Sequence, residues 1–337
     1  MPTLLWRYLA VSTVLILGAS EGQGQEIALQ RGTIVRFASV EEGAAVLSQE
    51  DVYTRNLSQF DLHARLNTVE NVTSDDLRRF AAAQVEPWKD EEVKTLQSCL
   101  ASLRRRLQDF VPLFPETVLL IKTTGREEGE AAYCRQNAIV LPRAMLRRPP
   151  EALERLLAHE LFHILSRQDP NRQRRLYAIV GFQPCGEIEL PPSLRDRKIT
   201  NPDAPLLNYV IELQVEGQAK LAIPVLFSSV ERFDPAAGKT FFQYLQFRLL
   251  QVERHGNTWR AAEGDEGPIL LDPQKTPSYH EQIGRNTSYI IHPEEVLAEN
   301  FAHLLLETPD LPTPRIVDEM RRLLTDTQPL NPDAQPE

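Results

Sequence analysis

The chain contains few residues that could build a sulfur-based site. Only three of its 337 residues are cysteines, Cys99, Cys134 and Cys185. A zinc–thiolate centre needs closely paired cysteines, so this spacing argues against one. An oxidising compartment would allow one disulfide and leave an odd thiol, and the spacing does not select the pair.

Positive charge is also scarce. The 37 Lys and Arg residues are outnumbered by 47 Asp and Glu, which gives a formal net charge of −10. The short basic run Arg104-Arg105-Arg106 lies in a helical pattern with acidic residues around it. Binding of phosphates needs a concentrated basic face, so we predict no nucleic-acid partner. The acidic excess indicates solubility.

Long apolar runs are missing beyond the N-terminus. Arg7 precedes an apolar run from Tyr8 to Leu17, which is followed by Gly18-Ala19-Ser20. This order is typical of a secretory signal peptide, predicted over residues 1–22. The run is short for a bilayer span, and an uncleaved anchor is the alternative. We therefore expect a secreted or periplasmic protein with no stable membrane span after signal cleavage.

The remaining composition, 42% hydrophobic and 25% charged, is that of an ordinary globular protein. Hydrophobic spacing predicts strands at 32–37, 117–123 and 132–141 and helices at 40–47, 91–110, 151–167, 293–307 and 315–324. Residues 168–175 are polar, and Pro170 is expected to end the preceding helix. The segment 176–275 has strand-like runs at 207–213 and 219–227, and 241–252 is either strand or helix. These patterns predict an α+β fold with an N-terminal region at 23–88, a catalytic domain at 89–327 carrying a β-rich insertion at 176–275, and a disordered tail at 328–337.

The strongest chemical signal is His159-Glu160-Leu161-Phe162-His163, within a predicted helix. Positions i and i+4 share one helix face, so both imidazoles can reach one cation. Glu160 is displaced around the helix, where its carboxylate can reach a metal-bound water. Zinc lowers the pKa of such a water, and a carboxylate can then take its proton. The motif predicts a catalytic zinc with Glu160 as general base, and two ordinary histidines on a core helix are the alternative.

A catalytic zinc usually has a third protein ligand, and two regions offer one. Asp169 lies six residues beyond the second histidine, but Ser166 stands where a tight turn would need glycine. The helix at 293–307 carries Glu295 and Glu299, four residues apart. One can bind the metal while the other hydrogen-bonds a ligating histidine. We predict Glu295 as ligand with Glu299 in reserve. A solvated acidic face is the alternative, and the ligand set suits iron(II) as well as zinc.

Together, His159-Glu160-Leu161-Phe162-His163 and Glu295-Val296-Leu297-Ala298-Glu299 resemble the gluzincins, the thermolysin-like branch of the zincin metallopeptidases. The order of predicted elements is similar over about half of the chain. The resemblance implies a zincin-like core with His159, His163 and Glu295 as zinc ligands. It also implies Glu160 as general base and Glu299 as the outer partner of a ligand. The 295 − 163 = 132 positions between ligands exceed the thermolysin type and require the insertion to fold out and return.

The resemblance implies two further features. An edge strand at 137–141 would bind an extended peptide by backbone pairing. Tyr289 would stabilise the oxyanion, with a packing role as its alternative. The expected function is zinc-dependent hydrolysis of a peptide or protein substrate, with the insertion as a wall or lid over the cleft. A non-catalytic zincin-fold binding or scaffold protein, and a metal-dependent amidase acting on cell-envelope material, stay open. The pattern does not indicate an oligomeric state.

Overall fold

The structure is a computed structural model that describes residues 26–256 and 258–326. The predicted signal peptide at 1–22 and tail at 328–337 lie outside these ranges. The described part is a mixed α+β protein with eleven helices and three sheets, so the predicted fold class is confirmed at that level. No helix in these ranges is long and apolar enough to cross a bilayer.

The first sheet has five strands in the order β1-β2-β3-β5-β4. They are β1 (Glu26–Gln30), β2 (Thr33–Phe37), β3 (Thr117–Thr123), β4 (Tyr133–Arg135) and β5 (Ala138–Pro142). Strands β2, β3 and β5 are parallel, while β1 and β4 run antiparallel to their neighbours at the two edges. The buried runs TIVRF and TVLLIKT thus form the centre of the sheet, as expected for apolar strands covered on both faces.

The predicted single strand at 132–141 is wrong, because the chain reverses at Gln136. This residue adopts a left-handed backbone with φ of 53°, which a two-residue hairpin turn requires. Strand β5 is therefore paired on both sides, with β3 and with β4. The predicted edge strand at 137–141 is wrong for the same reason, and the edge strand is Tyr133–Arg135.

Helices cover both faces of this sheet. The N-terminal half contributes α1 (Val40–Leu47), α2 (Val52–Arg55), α3 (Gln59–Leu66), α4 (Ser74–Ala82) and α5 (Asp90–Arg106). Ser58 and Thr73 begin α3 and α4 with capping boxes, in which each hydroxyl accepts from the backbone three residues on. Helix α5 ends at Arg106, four residues before the predicted end.

The next two helices are α6 (Pro150–Gln168) and α7 (Pro170–Ile179). Pro150 begins α6. The backbone N–H groups in the first turn of a helix have no intrahelical acceptor, so the absence of one in proline costs no hydrogen bond there. Pro170 does not merely end α6, as predicted, but begins α7. The Asp169 side chain accepts from the amides of Asn171 and Arg172, so it caps α7.

The second sheet is antiparallel, has six strands and comes from the segment predicted to be mainly β. Its strands are β6 (Phe182–Pro184), β7 (Tyr209–Val215), β8 (Gln218–Ser228), β9 (Leu245–His255), β10 (Thr258–Ala261) and β13 (Leu270–Leu271), with β11 (Glu263–Gly264) and β12 (Gly267–Pro268) forming a small hairpin. The ambiguous stretch at 241–252 is a 3-10 turn followed by β9. Two short helices, α8 (Pro192–Arg195) and α9 (Pro277–Ile283), flank the sheet, and the chain continues into α10 (Pro293–Leu306) and α11 (Pro314–Thr325).

One large hydrophobic core joins these parts. It contains Val35 of β2, Leu100 of α5, Leu161 of α6, Ile211 of β7 and Phe301 of α10, all fully buried. The 176–275 segment therefore shares its core with the helices that carry the candidate site. This shared, close-packed core places the segment beside that site.

Candidate metal centre

Two packed helices, α6 and α10, present the predicted site residues to each other. Four leucines and Ile164 on one side of α6 are at most 1% exposed, and their burial orients His159 and His163 toward α10. The two imidazoles lie one turn apart with ring centroids 4.8 Å from each other. Both side chains are buried, at 9% and 1% exposure.

The third group of the centre is Glu295, from the first turn of α10. Its Oε2 lies 3.2 Å from His159 Nε2 and 3.8 Å from His163 Nε2. The three candidate ligand atoms all lie within 4.8 Å of one another. A tetrahedral zinc with bonds of 2.0–2.1 Å places its ligand atoms about 3.3 Å apart. The structure thus brings His159, His163 and Glu295 together at distances that suit a metal ion.

An outer partner orients each of the three groups. His159 Nδ1 lies 2.9 Å from Glu299 Oε1, and Asn201 Nδ2 donates to Glu295 Oε1 at 2.6 Å. His163 Nδ1 lies 2.9 Å from Glu294 Oε1. Such contacts fix the tautomer of an imidazole, so that its Nε2 lone pair points inward. Glu299 therefore occupies the position of an outer partner, and Glu295 the position of a ligand.

Sequence reasoning missed Glu294 and Asn201. Glu294 is 1% exposed, and its Oε2 also accepts from Ser166 Oγ at 2.7 Å and Tyr177 OH at 2.6 Å. In the sequence it resembles any acidic residue in the first turn of a helix. Asn201 lies in a loop of the second sheet segment, where no spacing rule links it to Glu295. Only its position in the fold identifies it.

The carboxylates around the centre outnumber the imidazoles. Burial lowers the pKa of His163, but Asp203 and Glu295 outweigh it and hold the pKa at about 9. Burial also lowers the pKa of His159, but hydrogen bonds to Glu295 and Glu299 outweigh this effect, so the pKa is raised well above its usual value. Burial raises the pKa of Glu295, while the two imidazoles lower it to about 2. A divalent cation would replace the imidazole protons, so its affinity should fall as the pH falls.

Glu160 lies beside the three candidate ligands. It is 3% exposed and lines the same cavity as His159 and Glu295. Cys134 Sγ is 3.4 Å from Glu160 Oε2. Burial raises the pKa of the Cys134 thiol well above its usual value, so it stays protonated and donates to this carboxylate. Glu160 therefore lies next to the centre, and within the described ranges no hydrogen bond joins it to either imidazole.

Tyr289 lies over the same centre. Its ring stacks on His159 with centroids 6.2 Å apart and planes 24° apart, and the residue is 43% exposed. The Glu295 carboxylate, followed by burial, raises the pKa of Tyr289, so the side chain remains a phenol able to donate a hydrogen bond. Asp169, the alternative third ligand, instead caps α7.

A cavity of about 500 Å³ opens from the centre. One wall comes from α6 and α10, through Leu156, His159 and Glu299. The opposite wall comes from the 176–275 segment, through Ile199, Thr200, Asn201, Pro202, Asp203, Leu226, Phe241, Phe242 and Leu245. The insertion therefore stands beside the cleft, in the position of the predicted wall.

Comparison of the chain with protein-family models, with curated proteins and with solved structures gives no match. The geometry of the centre and its cavity is therefore the basis on which a function can be inferred.

Replacement of Glu294 by Gln should weaken metal binding without removing a ligand. An amide accepts more weakly than a carboxylate, so His163 would lose basicity and orientation, and zinc affinity should fall by about 10- to 100-fold. Competition with a chromogenic chelator measures this affinity. Glu307→Gln, at the exposed end of α10, is the matched control and should bind zinc like the wild type. Equal affinity in the two variants would contradict this role of Glu294.

Proposed function

We propose that this protein is an exported zinc metallopeptidase with His159, His163 and Glu295 as metal ligands. One observation carries the proposal. The imidazoles of His159 and His163 converge with the carboxylate of Glu295, and a second polar atom of each group is hydrogen-bonded to a neighbouring side chain. The buried carboxylate of Glu160 lies beside them and lines the same cavity. The parallel strands and the helix pair α6 and α10 support a zincin-like core of the gluzincin type. The predicted signal peptide supports export to the periplasm or the exterior.

A zinc ion held by His159, His163 and Glu295 would acidify a water and polarise the substrate carbonyl. Glu160 would accept the proton of that water and later return it to the leaving amine. Tyr289 would donate a hydrogen bond to the oxygen that becomes negative. Glu299 and Glu294 would hold the two imidazoles in place throughout the reaction.

Catalysis is proposed rather than a structural metal role because of Glu160. A structural zinc site is closed by four protein ligands and needs no general base. Here two of the three candidate ligands, His159 and Glu295, line a cavity, and the buried carboxylate of Glu160 lines it next to them. The direct test is incubation of the zinc-loaded protein with a peptide library and with cell-envelope fragments, followed by mass spectrometry. Cleaved peptides are expected. Products from envelope fragments alone would favour the amidase, and zinc binding without any hydrolysis would favour a scaffold.

Tyr289→Phe should lower kcat while leaving zinc affinity unchanged. The ring would still stack on His159, but the donor to the oxyanion would be lost, and such a loss typically costs about 10²- to 10³-fold in kcat. Steady-state kinetics on a cleaved peptide measures it. Tyr244→Phe, in a hydrophobic cluster of the second sheet segment and not among the residues that line the cavity, should be neutral. A packing role alone for Tyr289 predicts wild-type kcat in the phenylalanine variant.

A further inference from the structure

A short loop of the second sheet segment crosses the cleft beside the metal centre. This cross-cleft segment comprises residues 201–205. Its flanks are tied to the sheet, because Ile199 N donates to Leu226 O at 2.9 Å and Ile188 N donates to Leu207 O at 3.1 Å. On the N-terminal side, the Thr200 hydroxyl also donates to the buried carboxylate of Asp61. The segment is therefore held at both ends.

The cross-cleft segment divides the groove along edge strand β4 into two cavities. Residues 131–133 line the cavity of about 500 Å³ that contains the metal centre. Residues 134–136 line a second cavity of about 280 Å³, which includes none of the three candidate ligands. Pro202 and Asp203 line both cavities and so form the wall between them.

The wall also occupies the hydrogen-bonding position of the edge strand. Cys134, the middle residue of β4, donates its backbone N–H to Asp203 Oδ1 at 2.9 Å. An extended peptide that added to this edge would need the same N–H. A peptide chain that pairs with this edge strand in the larger cavity therefore cannot continue past Asp203.

The chemistry of this wall indicates which terminus of a peptide would lie against Asp203. The Asp203 side chain is 6% exposed, and its Oδ1 contacts the Cys134 amide and Arg167. Within the described ranges no hydrogen bond engages its Oδ2. An Asp203 oxygen lies within 4.8 Å of a Glu160 oxygen. Of the described cations that line this cavity, Arg65 and Arg155 are paired with Glu128 and Glu299, and the exposed Arg148 makes no ion pair with Asp203. Asp203 therefore offers a carboxylate oxygen to a cationic group such as the amino terminus of a peptide. It offers no positive charge to the carboxylate at the other terminus.

We infer that Asp203 binds the free α-ammonium group of the substrate, so that the enzyme acts as an aminopeptidase. In a peptide, the α-amino nitrogen is two bonds from the first carbonyl carbon. An ammonium group at Asp203 thus places that carbonyl next to Glu160 and the metal centre. The bound cation also favours the ionised form of the buried carboxylate. This inference rests on the proposed peptidase function and adds the substrate class: peptides with an unblocked amino terminus.

The test compares a peptide with its N-acetylated form, using the zinc-loaded full-length protein. Acetylation removes the charge but keeps the sequence, and the loss of a buried charge partner is expected to lower kcat/KM at least about 30-fold. Single residues should be released from the free peptide. Hydrolysis of both forms at equal rates, or internal cleavage, would overturn the inference while leaving the peptidase intact. No hydrolysis of either form would instead overturn the proposed function.

The variant Asp203→Asn provides a second test of this inference. The amide oxygen can still accept from the Cys134 N–H, so the wall is retained while its charge is lost. We expect kcat/KM for the free peptide to fall at least about 30-fold, mainly through KM, and the preference over the acetylated peptide to disappear. Asp203→Glu should restore part of this preference. Asp234→Asn, a capping aspartate in an exposed turn of the same segment, should keep it. An unchanged preference in Asp203→Asn, together with a wild-type melting temperature, would refute the role of Asp203.

Discussion

Glu160→Gln is expected to slow peptide hydrolysis strongly while the protein keeps its zinc. The amide has nearly the same shape as the carboxylate but cannot take a proton from a metal-bound water. Loss of a general base costs about 10²- to 10⁴-fold in rate. Glu160 makes no hydrogen bond to His159 or His163, so the ligands should stay in position. Steady-state kinetics and metal analysis of the same sample measure both parts of this prediction.

Glu151→Gln is the matched control for this experiment. Glu151 lies in the first turn of the same helix and is exposed, so its replacement should leave activity and metal content unchanged. Full activity in Glu160→Gln would remove the proposed mechanism. Loss of both activity and zinc in this variant would instead assign Glu160 to the metal site itself.

His163→Ala is expected to lose the metal and, with it, both activity and thermal stability. The wild type should contain about one zinc per chain, because three ligands converge at one point. A metal that binds only the folded state stabilises it by about 2.7 kcal/mol when its free concentration is 100 times its Kd. Chelation of the wild type should therefore lower the melting temperature, and chelation of His163→Ala should have no further effect.

Glu295→Gln separates metal loss from misfolding, since the amide preserves the volume of the buried carboxylate. It should also lower zinc content, while its circular dichroism spectrum stays that of the wild type. The control His255→Ala changes an exposed histidine at the end of β9 and should retain zinc. A wild-type zinc content in both His163→Ala and Glu295→Gln would contradict the ligand set. If metal analysis finds iron instead of zinc, the proposed ligand set stands and only the identity of the bound ion changes.

The local part of the site was predictable because it depends on helix periodicity alone. Residues at i and i+4 of one helix share a face in any fold, so His159 and His163 had to be neighbours once the segment was helical. The same rule placed Glu295 and Glu299 on one face of α10. Patterns of apolar residues likewise indicated β3, α5, α6 and α10, and hence a mixed α+β protein.

Errors arose where the local pattern supports two structures. Residues 132–141 are apolar enough for one strand, but a left-handed Gln136 splits them into a hairpin. Pro170 can end one helix or begin the next, and the Asp169 cap decides for the second. In both places, one or two polar residues at a turn determined the direction of the chain. This direction selected Tyr133–Arg135 as the edge strand.

The sequence by itself determined the pair of imidazoles, the adjacent carboxylate and the second helix with its two glutamates, because each lies within one regular element. Only the tertiary structure decided which glutamate faces the centre, that Glu294 holds His163, and that Asn201 and Asp203 stand at the cleft. These contacts join residues that are 69 to 140 positions apart in the chain. They are selected by the burial of the whole core, and no local spacing rule encodes them.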